Sequence, residues 1–257
     1  MPPRLFVDPP LRRGSTLSLP SGAARHVQVL RLQPGAAVTL FDGAGGEWSA
    51  TVERIGRSEV QVRIGEHHAV DRELPLQVTL ALGMPANERM DTLVEKATEL
   101  GVAEIQPLVC QRSVLRLSGE RAQKKVAHWQ AVAVAACEQS GRTRLPQIAP
   151  VMAFDDWLAR LGPGSGAEAE ADSHAALRVL LSFAGLPTTA ALSGARASHV
   201  LCLSGPEGGL AEDEEAAARA AGFTPLSLGP RVLRADTAPL ALLAHLALHA
   251  PASPDRR

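Results

Sequence analysis

The chain has 257 residues, 46% apolar and 21% charged, with a formal net charge of −1. At about 150 residues per domain this predicts one large domain or two smaller ones with material for a sizeable core. Wholesale disorder, a collagen-like chain and a disulfide framework are excluded by composition. Cys110, Cys137 and Cys202 lie far apart without a CxxC, which suits buried thiols in a reducing cytoplasm. The opening MPPRLFVDPP lacks the apolar stretch of a signal peptide. The apolar run from Ala235 to Ala250 is interrupted and too short to span a bilayer, so no membrane association is expected.

In chain order, residues 1–72 read as small and β-rich. Strand-like runs at Leu5–Val7, Thr16–Leu19, Ala37–Phe41, Trp48–Ile55 and Glu59–Ile64 are separated by Gly, Pro and Asp turns. One helical stretch, Ala23–Leu32, stops before Pro34-Gly35. Five strands in about 70 residues predict a compact barrel. The charged Asp71-Arg72-Glu73, followed by Pro75, marks the boundary, with a second domain over 73–250 and a frayed tail over 251–257. Beyond it, apolar runs at Val78–Leu82, Ile105–Val109, Val179–Phe183, Val200–Leu203 and Leu226–Leu228 alternate with helical patterns. Those patterns cover Arg89–Leu100, Glu120–Gln139, Asp155–Leu161, Glu212–Ala221 and Thr237–Ala250. Such alternation predicts βαβ units and a parallel sheet covered on both faces. Gly162–Ser173 is low-complexity and reads as a surface loop.

Charge is segregated along the chain. Val109–Gln147 carries seven Lys/Arg against Glu120 and Glu138, a local net of +5, whereas 148–222 carries four Arg against ten carboxylates. That suits a polyanion footprint on one face, or two solvated surfaces of opposite sign. Arginine outnumbers lysine 23 to 3, which suits planar recognition of phosphates or bases, or a GC-rich genome.

Two glycine-bearing loops each follow a buried-looking strand. Leu203-Ser204-Gly205-Pro206-Glu207-Gly208-Gly209-Leu210 would let backbone approach a ligand closely, or is a plain strand-to-helix turn. It is neither a GxGxxG fingerprint nor a P-loop, and the carboxylates at 212–215 behind it disfavour phosphates. A ligand without phosphates, or a cationic one, is expected. In Leu228-Gly229-Pro230-Arg231-Val232-Leu233-Arg234-Ala235-Asp236-Thr237, either Asp236 or Thr237 is expected to cap the last helix. A carboxylate beside Arg234 could also assist proton removal while the arginine orients an anionic substrate. Gly141 is placed as a helix C′ residue, with Arg142 beyond it for substrate or dipole contact. Arg112 is a phosphate contact or a surface arginine. His245 and His249 share a helix face without a third ligand and read as core or interface residues, so no metal site is expected.

Four ordered motifs now converge. Glu99-Leu100-Gly101-Val102, then Ala136-Cys137-Glu138-Gln139-Ser140-Gly141-Arg142, then Gly205-Pro206-Glu207-Gly208-Gly209, then Leu228-Gly229-Pro230-Arg231-Val232-Leu233-Arg234 make a chain that resembles the RsmE family of ribosomal RNA small-subunit methyltransferases. The likeness extends to His26 through Asp42. It implies a PUA-like β-barrel ahead of a SPOUT α/β domain with a C-terminal trefoil knot, a homodimer, and S-adenosylmethionine as cofactor. It also implies methylation of N3 of a uridine in 16S rRNA within the small subunit. By the same likeness Leu203, Gly205, Pro206, Glu207, Gly208, Gly209, Leu228, Gly229, Val232 and Leu233 surround the cofactor. Arg234 and Arg142 would hold phosphate or the uracil carbonyl, with Asp236 or Glu138 near the departing proton. Arg12, Arg13, Arg25, Arg31, Arg112 and Arg231 would contact RNA. The chain departs from the family in carrying Asp236 where Glu is usual, one methylene shorter, and in lacking the usual Ser/Lys-Gly start at Met84–Met90. The rival expectations are a non-catalytic RNA-binding or ribosome-assembly protein, and a small-molecule enzyme using the same loops.

Overall fold

The computed structural model describes residues 2–8, 10–57, 59–86, 88–162, 176–187 and 197–249. The tail over 251–257 and the expected loop over 162–173, apart from Gly162, fall outside these. The chain divides into two compact units: Met1–Glu73 with Val134–Leu145, and Leu74–Ala133 with the rest from Pro146.

The first unit is built on a five-stranded sheet. Its strands are β1 (Arg4–Phe6), β2 (Thr16–Ser18), β3 (Ala37–Phe41), β4 (Glu47–Ile55) and β5 (Val60–His68), ordered β1-β3-β4-β5-β2. Burial alternates along β4 and β5, because successive side chains of a strand point to opposite faces. Val38, Leu40, Ala50, Val52, Val60, Val62 and Ile64 thereby form one core with Ala23, Ala24 and Val27 of helix α1 (Ser21–Val29). The unit also takes in the end of helix α3 (Gly119–Ser140). There Glu138 accepts the Phe6 amide at 2.9 Å, a contact spanning 132 residues.

The second unit holds a parallel sheet in the order β12-β10-β11-β6-β7-β8, with β9 also on β7. The strands are β6 (Gln77–Gly83), β7 (Glu104–Val109), β8 (Gln147–Ile148), β9 (Met152–Ala153), β10 (Leu177–Pro187), β11 (His199–Ser204) and β12 (Thr224–Ser227). Strands β6 and β11 are almost wholly buried, as a sheet covered on both faces requires. Alternation along each strand divides its side chains between two cores. Val78, Leu80, Leu82, Val200 and Cys202 face helices α2 (Glu88–Glu99), α3 and α6 (Thr237–His249) through Leu93, Trp129, Leu242 and Leu243. Ala81, Leu201 and Leu203 face α4 (Phe154–Leu161) and α5 (Glu212–Ala220) through Phe154, Trp157 and Ala218. The expected helices and long strands are present with ends shifted by a few residues. The two-residue strands β8 and β9 are additional, too short to carry a periodic pattern.

Burial pushes the thiols of Cys110, Cys137 and Cys202 up to about 12, so all three stay protonated. No helix among the described residues is long and apolar enough to cross a membrane. His245 and His249 are not core residues. They stack on the flank of α6 with ring centroids 4.2 Å apart, and His249 is exposed.

Candidate functional site

Strands β12, β10 and β11 are neighbours in the second unit's sheet, and residues of β10 together with the loops that follow β11 and β12 line a cavity of about 660 Å³. Loops at the carboxyl ends of parallel strands are where open α/β sheets bind ligands, and this volume suits a drug-sized one.

The first wall is the loop after β11. Gly209 donates its amide to the Pro206 carbonyl at 2.8 Å, closing a tight turn with Gly209 itself at φ +69°. Packing inside the turn makes Gly205 obligatory: a Cβ there would lie 2.7 Å from the Leu210 nitrogen and 2.8 Å from the Gly209 carbonyl carbon. Glu207 accepts the Ala86 amide at 2.9 Å and stands 3.6 Å from the Arg89 guanidinium. Arg112 donates from Nη1 to the carbonyls of both Gly208 and Leu210 at 3.1 Å. Its side chain, expected on RNA or bare surface, therefore cross-ties the glycine loop while lining the cavity.

The acidic start of α5 behaves differently from expectation. Glu214 is buried and accepts the amides of Gln111 and Ala211, both at 2.8 Å, so its charge is spent on backbone donors. Asp213 takes the Gln111 amide group, which holds its carboxyl below the usual range. Only Glu215 of that cluster lines the cavity, where it accepts the Ser182 hydroxyl at 2.8 Å. Against Glu207 and Glu215 the lining sets Arg89, Arg112, Arg231 and Arg234. The repulsion argued from four carboxylates is thus largely absent from the cavity itself.

The second wall runs from Ser227 to Ala235, with Gly229 at φ +100° turning the chain out of β12. Leu228, Gly229, Arg231, Val232, Leu233 and Arg234 all line the cavity, as do Gly205, Pro206, Glu207, Gly208 and Gly209. Leu203 does not: it is fully buried in the core behind the loop, because its side chain alternates away from the cavity. Asp236 follows the wall without lining it, and its Oδ1 is buried with no hydrogen-bond partner. The expected side-chain cap is not made: Thr237 and Ala238 donate their amides to the Arg234 carbonyl instead.

Other expected residues belong to the first unit. Arg142 is buried and donates to Glu73 from Nε at 2.9 Å and from Nη2, so its guanidinium serves an interior ion pair. Gly141 is the expected C′ residue, at φ +85°. Besides the Phe6 amide, Glu138 has His26 Nδ1 at 3.7 Å. Arg12, Arg25 and Arg31 are exposed, and Arg13 pairs with Glu66 at 2.5 Å. Sequence reasoning missed the contribution of β10, whose Leu180, Leu181, Ser182 and Phe183 form the third side, and missed Arg89 and Glu215. The one sign in the sequence is that the apolar run Val179–Phe183 is followed closely by Gly185 and Pro187, as glycine and proline follow the runs ahead of the other two walls. Among the described residues no cluster of three or more His, Cys, Asp or Glu could hold a metal ion.

A ligand-sized cavity with apolar walls, glycine backbone and a few charged groups, carried with a small β unit, defines a two-domain α/β enzyme working on a small cofactor. The chain belongs to the RNA methyltransferase family: the model described as "RNA methyltransferase domain" matches residues 72–247, and "RNA methyltransferase PUA domain" matches 19–65. It is 34% identical to ribosomal RNA small subunit methyltransferase E of Synechocystis over 95% of this chain and 76% of the relative. The Bacillus subtilis protein of that name is 30% identical over 90% of this chain and 89% of its own length. A Neisseria gonorrhoeae ribosomal RNA small subunit methyltransferase E bound to S-adenosylmethionine superimposes with a TM-score of 0.85. It is 34% identical, covering 96% of this chain and 97% of the other. A Legionella pneumophila methyltransferase crystallised with the same cofactor gives 0.86 at 34% identity, covering 96% and 98%.

Proposed function

We propose that this chain transfers a methyl group from S-adenosylmethionine to N3 of a uridine in 16S rRNA of the small ribosomal subunit, as a cytoplasmic homodimer. In this reading the second unit is a SPOUT domain whose C-terminal segment is threaded as a trefoil knot. The observation that carries the proposal is the cavity at the ends of β10, β11 and β12, whose Gly205 turn leaves no room for a side chain. Its walls fit the cofactor's chemistry. Leu180, Leu181, Leu226 and Leu228 offer apolar faces to an adenine ring, and the Gly205–Gly209 backbone offers amides and carbonyls. Glu207 and Glu215 offer carboxylates to its cationic groups. When bound, the cofactor supplies an electrophilic methyl group on a sulfonium sulfur.

Uracil N3 is a poor nucleophile until its proton is lost, and it lies on the pairing edge, so the base must be unpaired or extruded to react. Asp236 stands next to the second wall without lining it, its buried Oδ1 without a hydrogen-bond partner, and in this reading it turns toward the seated base to take that proton. Arg231 and Arg234, exposed on the same wall, hold the backbone phosphate or a uracil carbonyl. Holding both reactants in one geometry supplies much of the acceleration of a bimolecular step. Exposed Arg12, Arg25 and Arg31 on the small β unit neutralise further phosphates, so affinity for RNA falls steeply with salt.

The test is methyl transfer from labelled S-adenosylmethionine to small subunits lacking the modification, with the product nucleoside identified by mass spectrometry. Formation of 3-methyluridine, lost in Asp236→Asn with folding intact, supports the reading. RNA binding without transfer or cofactor binding would replace it with the assembly-protein alternative.

A further inference from the structure

We infer that Phe183 is a nucleobase-stacking residue, supplying the aromatic face against which the base to be methylated rests once it leaves its RNA partner. The inference rests on the function proposed above and adds to it a contact for the acceptor base. The chain is poor in aromatics, with five Phe, three Trp and no Tyr. Phe41, Phe154, Phe223, Trp129 and Trp157 are buried, and Phe6 and Trp48 are half-buried. Phe183 stands apart at 71% exposed, and it lines the cavity. Burying a phenylalanine side chain is worth about 1.5–3 kcal/mol, so leaving one in water at a ligand site is a cost that a stacking partner would offset.

The local backbone is built to hold it out. Strand β10 pairs with β12 in register through Leu181↔Leu226, then resumes at Leu186↔Leu226, so Ser182–Gly185 leave the ladder as a bulge. Bulges beside active sites re-aim a side chain, and this one re-aims Phe183. Both ends of the bulge are tied. Ser182 donates its hydroxyl to Glu215 at 2.8 Å. Gly185 lies so close to the β12 backbone that a Cβ would stand 2.6 Å from the Leu226 carbonyl carbon. The cavity's buried apolar lining, Leu180 and Leu226, provides for a ring held deep inside, whereas Phe183 faces solvent, the side from which RNA arrives. Arg231 and Arg234 on the same lining suit the phosphates flanking a splayed base.

Base–aromatic stacking is worth about 1–3 kcal/mol per base, which corresponds to roughly 5- to 150-fold in affinity. The experiment compares wild type with Phe183→Leu, which keeps bulk and apolarity but removes the π face, and with Phe183→Trp, which restores it. Steady-state transfer to unmodified small subunits, equilibrium cofactor binding and the oligomeric state by light scattering are measured on each. We expect KM for RNA to rise about tenfold or more in Phe183→Leu and to return toward wild type in Phe183→Trp, with any loss of cofactor affinity well below the rise in KM and the oligomeric state unchanged. A Phe183→Leu enzyme with wild-type KM overturns the assignment while leaving the methyltransferase reading intact. So does a loss of cofactor affinity matching the rise in KM, which would make Phe183 part of the cofactor wall, or a change of oligomeric state, which would make it an intersubunit contact. A wild-type protein that transfers no methyl to RNA overturns both readings together.

Discussion

Replacing Gly205 with alanine adds one methyl group at a point where the loop has no space. The new carbon would sit 2.7 Å from the Leu210 nitrogen, whereas ordinary contact begins at 3.4 Å, so backbone must move by about 0.7 Å. Those atoms belong to the turn itself, so no flexible side chain can absorb the shift. Overpacking of this kind costs about 1–3 kcal/mol. Taken from the binding conformation of the loop, that predicts a cofactor affinity lower by roughly 5- to 150-fold. Gly208→Ala is the matched comparison: its Cβ would meet the Arg112 Cβ at 3.1 Å, so a shift of only about 0.3 Å between the two segments restores ordinary contact. It should weaken binding less than about threefold. Calorimetric titration with S-adenosylmethionine, thermal melting and a salt-matched RNA-binding assay separate the outcomes. The reasoning is refuted if Gly205→Ala binds cofactor as tightly as wild type, or if the two variants lose cofactor affinity equally. Loss of RNA binding in parallel would also refute it, by showing a general defect.

Further expectations concern the first unit and pH. Arg142→Met takes the guanidinium away from the mostly buried Glu73 carboxylate, which still accepts the Arg144 amide at 3.3 Å, and should cost about 3 kcal/mol in urea unfolding, partly recovered by Glu73→Gln in the same chain. A drop in kcat while the variant remains fully folded would instead restore a catalytic role for Arg142. Arg31 is the one non-glycine residue among those described with positive φ, at +52°, where it ends α1 with its amide on the Gln28 carbonyl. Arg31→Gly should therefore stabilise the unit by about 0.5–1 kcal/mol while weakening RNA binding, and a destabilised variant would contradict the account. Burial lowers the pKa of His199, whose Nε2 lies 2.9 Å from the Thr79 hydroxyl. Its contribution to stability is complete above about pH 6.5 and is lost as pH falls through the depressed folded value. His199→Gln should flatten that acid limb in denaturation curves recorded from pH 7 to pH 5, and an unchanged slope would remove His199 as its source.

What the sequence determined by itself was local. Period-two burial along β4 and β5, continuous apolar runs in β6 and β11, and helical spacing between them follow from side-chain directions that each residue carries with it. Gly205–Gly209 and Leu228–Arg234 are legible as loops for the same reason, since glycine and proline follow an apolar strand in each, and both line the cavity. The tertiary structure decided where long-range contacts put each side chain. Arg142, exposed-looking beyond a helix end, is buried because Glu73, 69 residues earlier, lies beside it. Leu203 turns into the core while Ser204 next to it lines the cavity, since the face of a strand depends on its sheet neighbours. Phe183 read as one more apolar residue of a strand. Only the pairing of β10 with β12 and the close approach of Gly185 to Leu226 turn it out to solvent, because a bulge is a property of two strands together.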